Sequence, residues 1–224
     1  MLSDVQIDRY SRQLILAEVG GRGQEALLSG RTAVFGSGPT ATTCALYLAA
    51  AGVGTVQLSD AAGHDAVGLN PDVHLVELGP VDRPEAIDAV LGRCDAAICA
   101  QAAPALCLAV NAVAIRHAVP LVCAATEGER AWVAVFAGHD RRWACYRCAL
   151  PDLPASSEPA ADGVAAVAGG LAGTLAATAA TDVLLRRAGA PVSRLTVHAL
   201  CEATVRTVDL AKRPACVDCA RERP

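Results

Sequence analysis

A strand that runs straight into a glycine turn and then into a helix leaves few folds open. Residues 32–35 are β-branched and apolar, Gly36-Ser37-Gly38-Pro39-Thr40-Ala41 follows without a spacer, and an alanine-rich stretch continues to residue 51. Gly52 and Gly54 break it, and residues 55–59 read as a second strand ending at Asp60. This is a βαβ unit of Rossmann type. Gly36 permits the tight turn, Gly38 lets a phosphate approach the backbone, and Ala41 allows close helix packing. Free N–H groups at the helix start attract an anion. Asp60 stands where a carboxylate takes ribose hydroxyls. Pro39 suits the first helical turn but has no N–H to offer a phosphate. Two readings therefore stand: a nucleotide site, and a nucleotide fold that has lost its nucleotide.

Downstream the pattern repeats. Residues 73–78 read as a strand, 84–91 as a helix, 95–99 as a strand, 104–117 as a helix and 120–125 as a strand. The fold class is α/β, a mostly parallel sheet with helices on both faces. From residue 131 the pattern changes: 131–137, 142–146, 195–200 and 204–210 read as strands of an antiparallel C-terminal extension. A long helix at 163–187 interrupts them, after a loop at 151–161 rich in Pro and Ser. At the start, Ser3 and Gln6 form a capping box for a helix with Ile7, Tyr10 and Leu14 on one face, and Gly30 ends a short helix at 24–28. One domain over 1–224 is expected: N-terminal helices at 1–30, a nucleotide-fold core at 31–130, and a zinc-knuckle and sheet region at 131–224. Residues 163–181 carry no charge and contain Gly169-x-x-x-Gly173, long enough to span a bilayer. Their Ala, Gly and Thr gain little from hydrocarbon, so a buried helix is expected, its small-residue face available to a subunit contact, and no membrane partner.

The cysteines are the strongest chemical signal. Cys145-Tyr146-Arg147-Cys148 and Cys216-Val217-Asp218-Cys219 are two knuckles, and four thiolates make a closed tetrahedral zinc site with no position left for substrate. Redox dithiols are the rival reading. Cys44, Cys94, Cys99, Cys107, Cys123 and Cys201 lie in apolar runs and read as small core residues. No secretory signal opens the chain, so reduced thiols and a cytoplasmic protein are expected. The hydrophobic fraction of 53% over 224 residues supports a full core. A net charge of −4 and 3% aromatics argue against nucleic acid, duplex or single-stranded. No lysine or arginine occurs between Arg31 and Arg83.

Arg9-Tyr10-Ser11-Arg12-Gln13, Gly23-Gln24-Glu25-Ala26-Leu27, Gly36-Ser37-Gly38, Ala49-Ala50-Ala51-Gly52-Val53-Gly54, Cys145-x-x-Cys148 and Cys216-x-x-Cys219 occur in that order. The set resembles the ThiF/MoeB/HesA group of E1-like adenylating proteins over nearly the whole chain. The resemblance implies a homodimer or pseudo-dimer of Rossmann-type domains with a four-cysteine zinc. It implies ATP and magnesium, used to adenylate the C-terminal carboxylate of a small ubiquitin-like sulfur carrier protein. It also implies that Arg12, with Arg9 beside it, reaches into a neighbouring subunit's ATP site. The sequence departs from that pattern in three places. The crossover after Asp60 reaches Leu69-Asn70-Pro71 without the family's ATP-contacting arginine, glutamine and lysine. The family's metal-holding aspartate aligns with Ala102. The crossover-loop cysteine is missing from 151–163.

A triphosphate carries about four negative charges, and phosphoryl chemistry rests on positioning and electrostatics. Removing a single donor costs about a hundredfold or more. The expectation is a non-adenylating partner of an intact E1-like chain, donating Arg12 and Arg9 in trans. Gly36, Gly38, Ala41 and Asp60 would form a weak or vestigial nucleotide site. One alternative is an active adenylyltransferase whose site is rebuilt from Arg83, Arg116 or Arg130 with Asp95 or Asp65. Others are a nicotinamide-dependent oxidoreductase and a module that grips a carrier's tail without chemistry.

Overall fold

In the computed structural model, β1 (Arg31–Phe35), β2 (Thr55–Leu58), β3 (His74–Glu77), β4 (Ala96–Ala100) and β5 (Leu121–Glu127) run parallel. The structure describes residues 1–59, 66, 68–79, 81, 83–154, 163–187 and 192–220. Asp60, Asp65 and the loop at 155–161 lie outside them. β6 (Arg130–Phe136), β7 (Arg194–Ala199) and β8 (Thr204–Asp209) add antiparallel, giving the order β3-β2-β1-β4-β5-β6-β7-β8. The centre is covered on both faces: every residue of β4 is buried, and all but the first of β1. That is why these strands read as continuous apolar runs. At the edge, every residue of β8 is exposed.

Helices cover the two faces. α4 (Gly38–Ala51) and α8 (Gly163–Leu184) lie over a core of Val34, Leu48, Val56, Ile98 and Ala176. α5 (Pro84–Leu91) and α6 (Pro104–His117) cover Phe35, Ile87, Leu91, Val110 and Phe136 on the other face. Pro stands in the first turn of α4, α5 and α6, where its missing N–H costs nothing. α4 stops at Gly52, whose φ of 83° is the left-handed cap.

The N-terminal helix is broken in two, α1 (Asp4–Arg9) and α2 (Ser11–Leu14), because Tyr10 leaves helical geometry at φ −97°, ψ 11°. The Ser3–Gln6 capping box is present in both directions. Of the expected apolar face only Tyr10 is buried; Ile7 is exposed. α3 (Gly20–Ser29) starts earlier than expected.

One expectation fails. Residues 142–146 form no strand. The Asp140 carboxylate accepts the Arg142 N–H at 2.9 Å and closes a turn, the local competition by which Asp displaces a ladder. α7 (Tyr146–Ala149) follows, with Cys145 as its N-cap. Gly169 and Gly173 of α8 pack against α4 within the chain. A β-carbon at Gly173 would overlap the Thr40 carbonyl oxygen, and one at Gly169 would stand 3.0 Å from Pro39 Cβ. Within α8, Ala166–Leu184 is long and apolar enough to cross a membrane, yet it packs on α4, β4, β5 and β6 as a core helix.

Candidate metal centre and nucleotide edge

Cys145 is the N-cap of α7 and Cys148 lies within it, and Cys216 and Cys219 lie in the turns after β8. The four Sγ atoms meet in one buried cluster, all within 4.8 Å of one another. Cys145–Cys148, Cys145–Cys216 and Cys148–Cys219 are 3.9, 3.6 and 3.5 Å apart. A tetrahedral ion with metal–sulfur bonds of about 2.3 Å sets its sulfurs about 3.8 Å apart, so the set fits one ion and no disulfide. Burial pushes the Cys145 thiol up to about 11, and a bound cation is what lets such a thiol ionise.

Neighbouring groups hold the two knuckles together. The Arg213 N–H donates to Cys148 Sγ at 3.4 Å. Asp218 accepts from Asn111 Nδ2 at 2.9 Å and pairs with Arg147 at 2.7 Å. Asn111 Oδ1 accepts the Tyr146 N–H at 2.9 Å. Asn111 of α6 thereby touches both knuckles, and the arrangement is closed and structural in character.

The glycine turn sits at the C-terminal edge of β1, where open α/β sheets bind ligands. Gly36 has φ 128°, and a β-carbon there would overlap the Ala100 carbonyl. The close approach of β4 therefore demands this glycine whether or not a phosphate is present. Its N–H donates to Ser59 Oγ at 3.3 Å. Gly38 (φ 69°) opens α4, and Ala41 is fully buried against the sheet. Gln101 (φ 55°) turns its side chain back to accept the Thr126 N–H at 2.8 Å. Ala102 is buried.

Of the cations and acids considered for a rebuilt site, Arg116 and Asp95 lie at the opposite end of the sheet, Arg130 faces Glu127 at the end of β5, Arg83 is the N-cap of α5, and Asp65 lies outside the described residues. Arg116 is in the last turn of α6, at the far end of the sheet, paired with Asp88 at 2.8 Å. Arg130 pairs with Glu202 at 3.3 Å. Asp95 precedes β4, also at the far edge, and accepts the Arg31 N–H at 2.9 Å.

The N-terminal motif is folded onto its own chain. Arg9 pairs with Asp72. The Tyr10 hydroxyl donates to Asp72 at 3.1 Å and accepts from Asn70 Nδ2 at 2.9 Å. Asn70 also donates to the Ala49 carbonyl at 2.9 Å. Gln24 donates to the Ala51 carbonyl at 3.1 Å. Three sequence blocks, around Tyr10, Gln24 and Ala51, thus meet at one point. Burial pushes the Asp72 carboxyl up, but hydrogen bonds from Arg9, Gln6 and Tyr10 outweigh it and hold the group below its ordinary value. Arg12, on α2, is exposed and has no ion-pair partner among the described residues.

Sequence reasoning treated the remaining cysteines as inert filling, and the structure separates them. Cys44 is buried in the core, Cys94 half-buried and Cys201 exposed; Cys201 follows β7 in a turn, outside any apolar contact face. Cys99, Cys107 and Cys123 come together, their sulfurs within 4.8 Å. The one available signal was that Cys99 and Cys123 fall at matching positions of adjacent parallel strands.

Together these features define a Rossmann-type α/β protein with a buried four-thiol cluster that could hold a metal ion. The chain belongs to the ThiF family, whose model matches residues 10–67 and 59–218. It is similar to the SAMP-activating enzyme E1 of Haloferax volcanii, 31% identical over 97% of this chain and 90% of that protein. It is also similar to the sulfur carrier protein ThiS adenylyltransferase of Escherichia coli, 29% identical over 82% and 83%, and to the sulfur carrier protein adenylyltransferase of Thermus thermophilus, 29% identical over 97% and 92%. Among solved structures, E. coli MccB with MccA-N7isoASN superposes with a TM-score of 0.76, at 15% identity over 98% of this chain and 76% of that one. PaaA gives 0.73, at 18% identity over 93% and 75%. Both share the fold.

Proposed function

We propose that this chain is a cytoplasmic, single-domain subunit of a carrier-activating system that does not itself adenylate. It pairs with an intact E1-like chain and supplies Arg12 to the partner's ATP site. The four thiols 145, 148, 216 and 219 hold a structural zinc. The observation that carries the reading is Arg12, exposed and without an ion-pair partner among the described residues, on a chain with no lysine or arginine from residue 32 to 82. Arg9 is engaged with Asp72 of its own chain, so the role in trans concentrates on Arg12. The alignment to the Haloferax relative spans 251 positions against this chain's 224 residues, so that relative carries segments missing here, in keeping with a shortened crossover. Asp60 with Gly36, Gly38 and Ala41 is then a vestigial nucleotide edge.

Co-expression with an intact family member, followed by ATP–pyrophosphate exchange, tests this. Arg12→Ala in this chain is expected to lower exchange by about a hundredfold, the usual cost of a positioned donor. No heterodimer, or unchanged exchange, would falsify the proposal.

The names of the relatives favour a second reading. Two of them are adenylyltransferases similar over most of this chain, which supports an active enzyme on a sulfur carrier. Calorimetry with Mg-ATP separates the two: millimolar ATP binds measurably in the second reading and not in the first.

A further inference from the structure

Cys99 on β4, Cys107 in the second turn of α6 and Cys123 on β5 converge from three elements, and each is at least 96% buried. Core packing alone would bring such thiols into contact with carbon, not into one cluster beside a void. Here they border a cavity of about 110 Å³, lined also by Ala102, Pro104, Trp132 and Leu153. Well-packed interiors leave few voids larger than a water, and this one has room for a water or a small ligand.

A second observation concerns a residue that lines the same space. Trp132 is 4% exposed and lines the cavity, and its indole N–H has no hydrogen-bond partner among the described residues. An indole nitrogen can only donate, and a buried orphan donor in a native core asks for an explanation. The cavity that this ring lines has room for such an acceptor.

We propose that Cys99, Cys107 and Cys123 form a second metal site, separate from the four-thiol centre, that binds a thiophilic divalent ion through three thiolates and leaves its fourth position open to the cavity. An all-sulfur donor set selects zinc-like or copper(I)-like ions over magnesium or calcium. Charge decides between the first two. Three thiolates on a divalent ion leave one net negative charge and on a monovalent ion two, and no lysine or arginine lines this cavity to offset the larger burden. Tyr146 of α7 lines the same cavity, and its ring stacks edge-on against Phe136 at 5.8 Å and 89°. A water, hydroxide or carboxylate in the fourth position would accept the Trp132 N–H. Three protein ligands with one exchangeable position is the arrangement of reactive rather than structural zinc. The cavity reaches Ala102 in the loop that follows β4, at the sheet edge where α/β proteins bind ligands. The site would thus offer a Lewis acid to a small oxygen ligand. It does not depend on the reading of Arg12.

The test is a titration of the reduced, metal-free full chain with Cd²⁺ under anaerobic conditions, counting thiolate–metal bonds from the charge-transfer band. Two equivalents are expected, with seven bonds in total, four from one cluster and three from the other. Cys107→Ser is expected to lower this to one equivalent and four bonds. Cys123→Ala, which keeps an apolar side chain in β5, should do the same if the serine variant misfolds. Trp132 emission should change with the second equivalent in the parent and stay unchanged in both variants. Uptake of a single equivalent by the parent, or of two by both variants, overturns the site. Uptake of Cu(I) but not Cd²⁺ at these thiols overturns the divalent assignment.

Discussion

Tyr10 carries a hydroxyl into the interior, and its partners are Asn70 and Asp72, some sixty residues on. Removing that hydroxyl strands a buried amide and part of a carboxylate, which costs about 1–3 kcal/mol. Tyr10→Phe should therefore lose stability of that order in urea unfolding. Arg9→Ala should lose less, about 1 kcal/mol, because the ion pair is part-exposed. The pH dependence separates the two variants. The folded Asp72 value is depressed, so its contribution is full above the unfolded carboxylate value of about 3.9 and fades as pH falls through the lower folded one. The deficit of Arg9→Ala should accordingly shrink in acid, while the part of the Tyr10→Phe deficit owed to Asn70 persists. Equal deficits at neutral and strongly acid pH would remove Asp72 from the account. None of this network was legible in the chain. Arg9 and Arg12 look equivalent three residues apart, and no periodicity links Tyr10 to Asn70. Only the fold commits one arginine to Asp72 and leaves the other exposed.

At the scale of elements the sequence was far more readable, for reasons that are local. Pro39, Pro84 and Pro104 mark helix starts and Gly52 marks a stop, and strands buried on both faces advertise themselves as apolar runs. Residues 142–146 misled because their alternation was overridden by an Asp140 turn, a side-chain interaction that strand propensity ignores. Gly169-x-x-x-Gly173 was legible as a close-packing face, but nothing in the sequence said that α4 would fill it. Two glycines on α8 now make opposite predictions. A β-carbon at Gly170 meets only Thr43 Oγ1, at 4.0 Å. Gly170→Ala should then stabilise the protein by about 0.5–1 kcal/mol through helix propensity. At Gly173 the same methyl would overlap the Thr40 carbonyl and stand 2.8 Å from Thr43 Cβ. Gly173→Ala should cost about 1–3 kcal/mol as α8 is forced off α4. Thermal melts of the pair check this, and shifts of the same sign would mean that α8 does not pack as described.

For the whole molecule, the question is what the four-thiol centre holds. The spacing of the two knuckles announced it, whereas the three-thiol cluster was hidden because cysteine inside an apolar run reads as core. If the centre were a clip on the tail, losing its ion would free the residues after Leu210 and little else. The contacts argue for more. Cys145, Cys148, Cys216 and Cys219 belong to the same buried cluster as Ile87, Val110 and Phe136. Asp218 from the tail reaches Asn111 of α6, which also caps the start of α7. Four thiols without an ion must either stay protonated against one another or pull apart, and a site that binds only the folded chain lends its binding energy to folding. Cys216→Ser, or a chelator strong enough to strip the ion, should therefore lower the melting temperature of the whole domain in one transition. It should also remove amide-exchange protection from α6 and α7 along with the tail. If exchange rises only beyond Leu210 and the main transition does not move, then the C-terminal region is an appendage and the expectation of a single domain over 1–224 fails with it.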